Sequence, residues 1–149
     1  MSLSGQAKMV RFWQQMAQLH AIRKRRAQSA LRLAQGRVRD LQERLARTHD
    51  ELEQTRQMLQ RAHAKFIQGM LDTPLHSRAH LDQVAAINRD RQALTIGITP
   101  LEEQLVQARR GVEQARRKIY TADQRGHHAS DALLSSRRKL QDLHEENDR

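Results

Sequence analysis

The sequence predicts an all-α protein, a long antiparallel coiled-coil hairpin of two helices. Three observations carry this prediction: a composition poor in aromatic residues, two long heptad series of apolar residues, and one strong turn signal between them. The chain has 149 residues, of which 38% are hydrophobic but only 3% are aromatic. Because aromatic side chains usually supply much of a globular core, so few of them argue against a wide core. Such a composition is typical of long helices and coiled coils.

The composition also excludes several classes of protein. The chain contains no cysteine, so disulfide frameworks and thiolate chemistry are excluded. No apolar run approaches the roughly 18 residues that a membrane span needs, and the N-terminus lacks the apolar segment of a signal peptide. We therefore expect a cytoplasmic protein without membrane insertion.

The first helix is predicted over about residues 8–69. Apolar residues recur in alternating steps of three and four from Leu31 to Phe66, where nine of eleven positions are apolar and two are threonine. The same phase continues toward the N-terminus but there meets Lys24 and His20. We expect weaker packing at those two positions.

A turn is predicted at residues 70–73. Gly69 can end the first helix, and Pro74 can occupy the first position of the next helix, capped by Asp72 or Thr73. This is the strongest break in the chain.

The second helix is predicted over about residues 74–146, because fifteen of eighteen heptad positions from Val84 onward are apolar. A second capping signal comes from Thr99, Pro100 and Glu102. Since the heptad phase continues through this segment, we expect a kink with Pro100 on the outer face. A break into three helices is the alternative.

The turn defines a pairing register for a single hairpin domain, residues 1–149. Folding the chain about Thr73 pairs residues that lie equally far before and after it, such as Leu41 with Leu105 and Ala34 with Val112. Core positions then meet core positions, and large residues often face small ones, which keeps the helices close. A rise of about 1.5 Å per residue predicts a rod on the order of 90–100 Å long.

Positive charge is concentrated toward both termini. The net charge is +8 over residues 1–50, −1 over 51–104 and +3 over 105–149, and the chain total is +10. In a hairpin the two basic segments lie together at the open end. Arg116 there faces Gln28, so we expect it to lack an intramolecular partner. Such a surface either keeps the rod soluble or binds an acidic partner, protein or nucleic acid.

Both ends of the predicted hairpin are also apolar. Trp13 and Met16, with neighbouring apolar residues, either cap the open end or are buried by a partner. Two helices meeting at a turn cannot bury five large side chains between them, so an exposed docking cluster is expected there. That cluster, the tip, contains Phe66, Ile67, Met70, Leu71 and Leu75.

Catalytic and metal-binding patterns are weak. The sequence has no glycine-rich phosphate loop, and a two-helix hairpin offers no pocket for paired carboxylates. His76 and His80 share a helix face but lack the intervening glutamate of a zinc-protease helix, and His80 falls on the core stripe beside Phe66. We expect no enzyme activity, no cofactor and no metal.

The stretch from Leu19 to Ala27, LHAIRKRRA, and its continuation from Leu31 to Leu45 resemble the opening of the FliJ/YscO family, in particular its injectisome YscO/HrpO branch. The family comprises central-stalk proteins of bacterial type III export systems, flagellar or injectisome. The resemblance implies a fold like the coiled coil of the rotary ATP synthase gamma subunit. It implies that the open end binds a hexameric export ATPase, that the tip binds a cytoplasmic domain of the export gate, and that secretion chaperones are further partners.

Under this interpretation the protein is cytoplasmic and peripheral at the inner-membrane secretion apparatus. The alternative is a nucleic-acid-binding coiled coil, which explains the charge through phosphate contacts but explains the apolar ends poorly. The candidate ATPase-binding residues are Trp13, Met16, Arg23, Lys24, Arg25, Arg26, Arg116, Arg117 and Arg137, and the candidate gate-binding residues are the five of the tip.

Overall fold

The structure, a computed structural model, describes residues 2–69 and 74–149, without the side chains of 74–76. Helix α1 spans Leu3–Gln68 and helix α2 spans Pro74–Asn147. The described residues contain no β-strand. The two helices pack against each other in opposite directions, which confirms the predicted all-α, two-helix hairpin.

Helix α1 begins earlier than the predicted start near residue 8. The Ser2 hydroxyl accepts a hydrogen bond from the backbone amide of Gly5 (3.1 Å), and the Ser2 carbonyl accepts one from the amide of Gln6 (3.0 Å). Ser2 therefore acts as an N-cap. The buried Gln6 side chain also donates to the backbone carbonyl of Ser136 at 3.0 Å, which fixes this first turn against α2.

Helix α2 begins at Pro74, as predicted, and continues through Pro100 to its end. The three-helix alternative is therefore wrong. Pro100 is exposed, in agreement with its predicted place on the outer face, where the missing amide hydrogen bond does not disturb the packed face. A bend of the axis there stays a prediction. The turn at 70–73, with its candidate caps, lies outside the described residues.

The core is a seam between the two helices. Every buried residue of the described chain lies on the two heptad series or on their continuation to Gln6, and Leu41 is completely enclosed. Arg91 belongs to the second heptad series and is the one position of the two series that is exposed. The buried Thr55 satisfies its hydroxyl within α1 by donating to the carbonyl of Leu52 at 2.7 Å. The heptad period thus decides which side chains are buried.

The chain divides into two compact units, each containing part of both helices. Unit 1 comprises Met1–Gln35 and Arg110–Arg149, and unit 2 comprises Gly36–Arg109. In unit 1, a Cβ atom built on Gly126 would lie 3.7 Å from that of His20. In unit 2, the rings of Phe66 and His80 stack with centroids 4.3 Å apart. In each pair the two residues lie equally many positions before and after Thr73 in the sequence, so both pairs agree with the predicted register.

Replacing Leu41 with Ala removes a fully enclosed side chain from the seam, whereas Leu33→Ala changes a leucine that is 77% exposed on the same helix. Leu41→Ala should lower the free energy of unfolding by about 2–5 kcal/mol, the usual cost of the lost burial and the remaining cavity. Leu33→Ala should stay within about 0.5 kcal/mol of the wild type. Urea denaturation followed by circular dichroism measures both. Equal effects of the two substitutions would contradict the seam.

Candidate partner-binding surfaces

Unit 1 carries nearly all of the excess positive charge. It contains 16 Lys and Arg residues against 7 Asp and Glu residues, a net charge of +9, whereas unit 2 contains 11 against 10, a net charge of +1. This difference arises because the basic segments near the two termini pair with each other in unit 1. A field of one sign on one unit attracts ligands of the opposite sign.

Most of the predicted basic residues of unit 1 are exposed and free of ion pairs within the described part of the chain. Their guanidinium groups are therefore available for an external anion. These residues are Arg23, Arg25, Arg26, Arg117 and Arg137.

Two predicted binding residues have partners within unit 1. Arg116 pairs with Glu113, three residues earlier on α2, at 3.1 Å, so the expectation that it lacks an intramolecular partner is wrong. That expectation considered only positions across the seam and overlooked pairs along one helix. Lys24 pairs with Asp123 of the other helix at 2.6 Å. The hydrogen bond from Lys24 lowers the pKa of the Asp123 carboxyl below its ordinary value.

His20 is the least expected member of the seam. The residue is 95% buried and lies opposite Gly126, on which a Cβ atom would make an ordinary contact of 3.7 Å with the His20 Cβ. Its Nδ1 is buried and has no hydrogen-bond partner among the described residues. Burial, followed by the positive charges of Arg23 and Arg125, lowers the pKa of His20 below its ordinary value. Both effects favour the neutral form of the ring.

A groove of about 440 Å³ opens beside His20 within unit 1. Four basic side chains and four small residues line it together with His20, and no carboxylate does so in the described part of the chain. The candidate residues predicted from the sequence include Arg23 and Arg26 but not Lys118 or Arg125 of α2. These lining residues are Arg23, Arg26, Lys118 and Arg125, with Ala27, Ala30, Thr121 and Ala122.

The aromatic residues of unit 1 are partly packed on the hairpin. The Trp13 ring lies edge-on to Phe12 (centroids 5.0 Å apart) and to His128 of α2 (5.6 Å). Trp13 and Met16 are half-buried, whereas Phe12 is exposed. Exposed apolar residues accompany Phe12 on α1, so unit 1 presents apolar as well as positive surface. They are Met9, Leu19 and Ile22.

The tip is described only in part. Phe66 is half-buried and stacks on His80, which confirms that His80 lies on the core stripe beside it. Ile67 is 67% exposed. Met70, Leu71 and the side chain of Leu75 lie outside the described residues. The described tip thus offers at least one large apolar side chain to a partner.

The described residues contain no group of three side chains that could hold a metal ion. None of the described helices combines the length and the hydropathy that crossing a membrane requires. The chain matches no family model, no curated protein and no solved structure. The resemblance to the FliJ/YscO family therefore depends on the sequence pattern alone.

The buried His20 predicts a specific pH dependence of stability. The pKa of His20 is lower in the folded chain than its ordinary 6.5. As the pH falls below about 6.5, His20 therefore binds a proton more readily in the unfolded chain than in the folded chain. The folded chain therefore loses stability as the pH falls below that value, and His20 causes no such loss above it. His20→Leu should raise stability by roughly 1 kcal/mol at neutral pH, since it removes the unpartnered Nδ1.

The stability advantage of His20→Leu over the wild type should grow as the pH falls toward about 5, because the variant has no ring at this position to protonate. His49→Leu, at an exposed position, is the matched control and should leave the pH dependence of the wild type in place. Urea denaturation at a series of pH values measures the difference. A His20→Leu variant with the pH dependence of the wild type would contradict this assignment.

Proposed function

We propose that the protein is a non-catalytic stalk or adaptor of a bacterial type III secretion system, peripheral at the inner membrane, which binds the hexameric export ATPase through unit 1. The observation that carries the proposal is the net charge of +9 on unit 1, with exposed arginines that have no acidic partner in the described chain. Such a surface favours an acidic partner. The resemblance to the FliJ/YscO family identifies that partner with the ATPase and favours an injectisome.

Exposed apolar residues beside the arginines favour a protein partner over nucleic acid. Phe12 and Ile22 are both about half exposed on the α1 part of unit 1. A protein interface buries such residues at its centre and places charged groups around them. Binding to phosphates depends mainly on positive charge and leaves isolated apolar side chains in water. A hairpin that presents both kinds of surface therefore suits an adaptor.

The tip supports a second contact in the proposed function, separate from the contact with the ATPase. Ile67 exposes a large apolar side chain on unit 2, where the net charge is only +1. An exposed apolar residue on a nearly neutral surface is suited to a protein contact that depends little on salt. We assign this contact to the cytoplasmic domain of the export gate. The protein then connects the ATPase and the gate by binding both, with chaperones as further partners.

Charge reversal at exposed positions tests the ATPase contact. The triple variant Arg25→Glu, Arg117→Glu, Arg137→Glu should weaken binding to the purified export ATPase by at least about tenfold, and binding of the wild type should weaken with added salt. The matched control, Arg44→Glu, Arg61→Glu, Arg89→Glu, makes the same charge change in unit 2 and should bind within about threefold of the wild type. Biolayer interferometry measures the affinities, and circular dichroism checks helicity.

The same experiment includes Ile67→Ser, which should bind the ATPase as the wild type does and lose affinity for the gate domain. Equal ATPase binding by both triple variants would overturn the assignment of unit 1. Loss of ATPase binding, but not gate binding, by Ile67→Ser would reverse the two contacts. If the wild type binds a short DNA or RNA duplex more tightly than the ATPase, and only the unit 1 variant loses that binding, the nucleic-acid alternative replaces the proposal.

A further inference from the structure

The groove beside His20 has the composition of a receptor for an anion with an apolar part. Arg23 and Arg26 of α1 and Lys118 and Arg125 of α2 bring four positive charges around one small volume. All four side chains are exposed, and none has an ion-pair partner in the described chain. Four like charges held together without counterions favour binding of a negatively charged group.

Asp123 follows the groove residue Ala122 in the sequence but does not neutralise the groove. Its carboxylate accepts a hydrogen bond from Lys24 at 2.6 Å and lies 3.7 Å from the ring of His127. It is not among the residues that line the groove. The intramolecular pair therefore satisfies the lysine on the seam and leaves the four lining cations without a carboxylate.

The floor of the groove is small and apolar. Ala27 and Ala122 are buried in the seam, and Ala30 and Thr121 add exposed methyl groups beside them. A volume of about 440 Å³ is large enough for one or two side chains of a partner. No aromatic side chain apart from His20 lines the groove in the described chain, so a nucleobase would find no Phe, Tyr or Trp on which to stack.

His20 combines a place in the groove wall with a buried ring nitrogen that has no partner in the described chain. It lines the groove and is 95% buried, and its Nδ1 has no hydrogen-bond partner among the described residues. Buried polar atoms are nearly always paired, and exceptions often occur at functional sites. The one buried side-chain nitrogen or oxygen without a hydrogen-bond partner in the described chain thus belongs to a residue that lines the cationic groove.

We propose that this groove is the docking site for an acidic segment of a partner protein. An aliphatic side chain of that segment rests on Ala27, Ala30 and Ala122. Glutamate or aspartate carboxylates on either side of it accept hydrogen bonds from the surrounding arginines and lysine. The inference rests on the proposed function only for the identity of the partner, which would be the export ATPase.

The probe is a fluorescein-labelled helical peptide in which glutamates lie one turn before and one turn after a single leucine. The wild-type chain should bind it, and added salt should weaken the binding. A peptide with glutamines in place of the glutamates should bind at least about tenfold more weakly, because charged hydrogen bonds are lost. A peptide with alanine in place of the leucine should bind about threefold or more weakly, because the floor loses its apolar contact. Fluorescence anisotropy measures all three.

Two variants of the chain test the groove itself. Arg26→Glu with Arg125→Glu should weaken binding of the glutamate peptide at least about tenfold. Ala30→Gln, which leaves the charge unchanged and places a longer side chain over the floor, should weaken it about threefold or more. The matched control is Arg32→Glu with Arg138→Glu, two exposed unit 1 residues outside the groove, and it should bind within about threefold of the wild type.

Equal loss in the groove variant and in its matched control would overturn the site, because binding would then follow net charge alone. Wild-type binding by Ala30→Gln would also overturn it. Displacement of the peptide by an oligonucleotide or by ADP at lower concentration than by unlabelled peptide would make the groove a phosphate site instead. Helicity measured by circular dichroism confirms that each variant is folded.

The outcomes separate this inference from the proposed function. If the peptide binds as predicted but the ATPase does not bind the chain, the groove stands and the identity of the partner is wrong. If the ATPase binds through Arg25, Arg117 and Arg137 but the groove variants bind it as the wild type does, the proposed function stands and the groove is not the docking site.

Discussion

The packed seam between α1 and α2 is the constraint on which the rest of the structure depends. A two-helix hairpin buries only one stripe on each helix, so residues outside that stripe face solvent. Leu41, Ile87 and Leu105 occupy the stripe in unit 2 and are buried there. The excess of arginine in unit 1 is therefore displayed on the surface, where it is available to a partner. The seam thus determines both the stability of the fold and which side chains are left at the surface.

The seam of unit 1 includes polar as well as apolar residues. Gln6 hydrogen-bonds to α2, Lys24 forms an ion pair across the helices, and His20 faces Gly126 with its Nδ1 unpaired. Replacing apolar residues with polar ones weakens packing, and such local conflicts between sequence and fold often mark functional sites. Of these three residues, His20 lines the groove with four cations.

The sequence predicted the helices and their register because both depend on a period and on turn chemistry that can be read locally. The apolar heptad series that ends at Phe66 is an example of the period, and the start of α2 at Pro74 is an example of the turn chemistry. The start at Leu3 was missed because the polar Gln6 interrupts the apolar series and the Ser2 cap was overlooked. The groove was not predicted, since a two-helix hairpin was expected to offer no pocket. Arg23 and Arg26 were among the candidate residues, but Lys118 and Arg125 join them through tertiary packing and do not follow them along the chain.

Disulfide cross-linking tests the register of the seam most directly, because the chain has no cysteine of its own. A Cβ atom on Gly111 would lie 4.0 Å from that of Ala34, within the range of about 3.5–4.5 Å that disulfides require. Ala34→Cys with Gly111→Cys should therefore oxidise to an intramolecular disulfide under a mild oxidant. Ala34→Cys with Lys118→Cys, one heptad further along α2, should remain reduced. Cross-linking of the second pair as readily as the first, or disulfide-linked dimers in place of the intramolecular bond, would contradict the register.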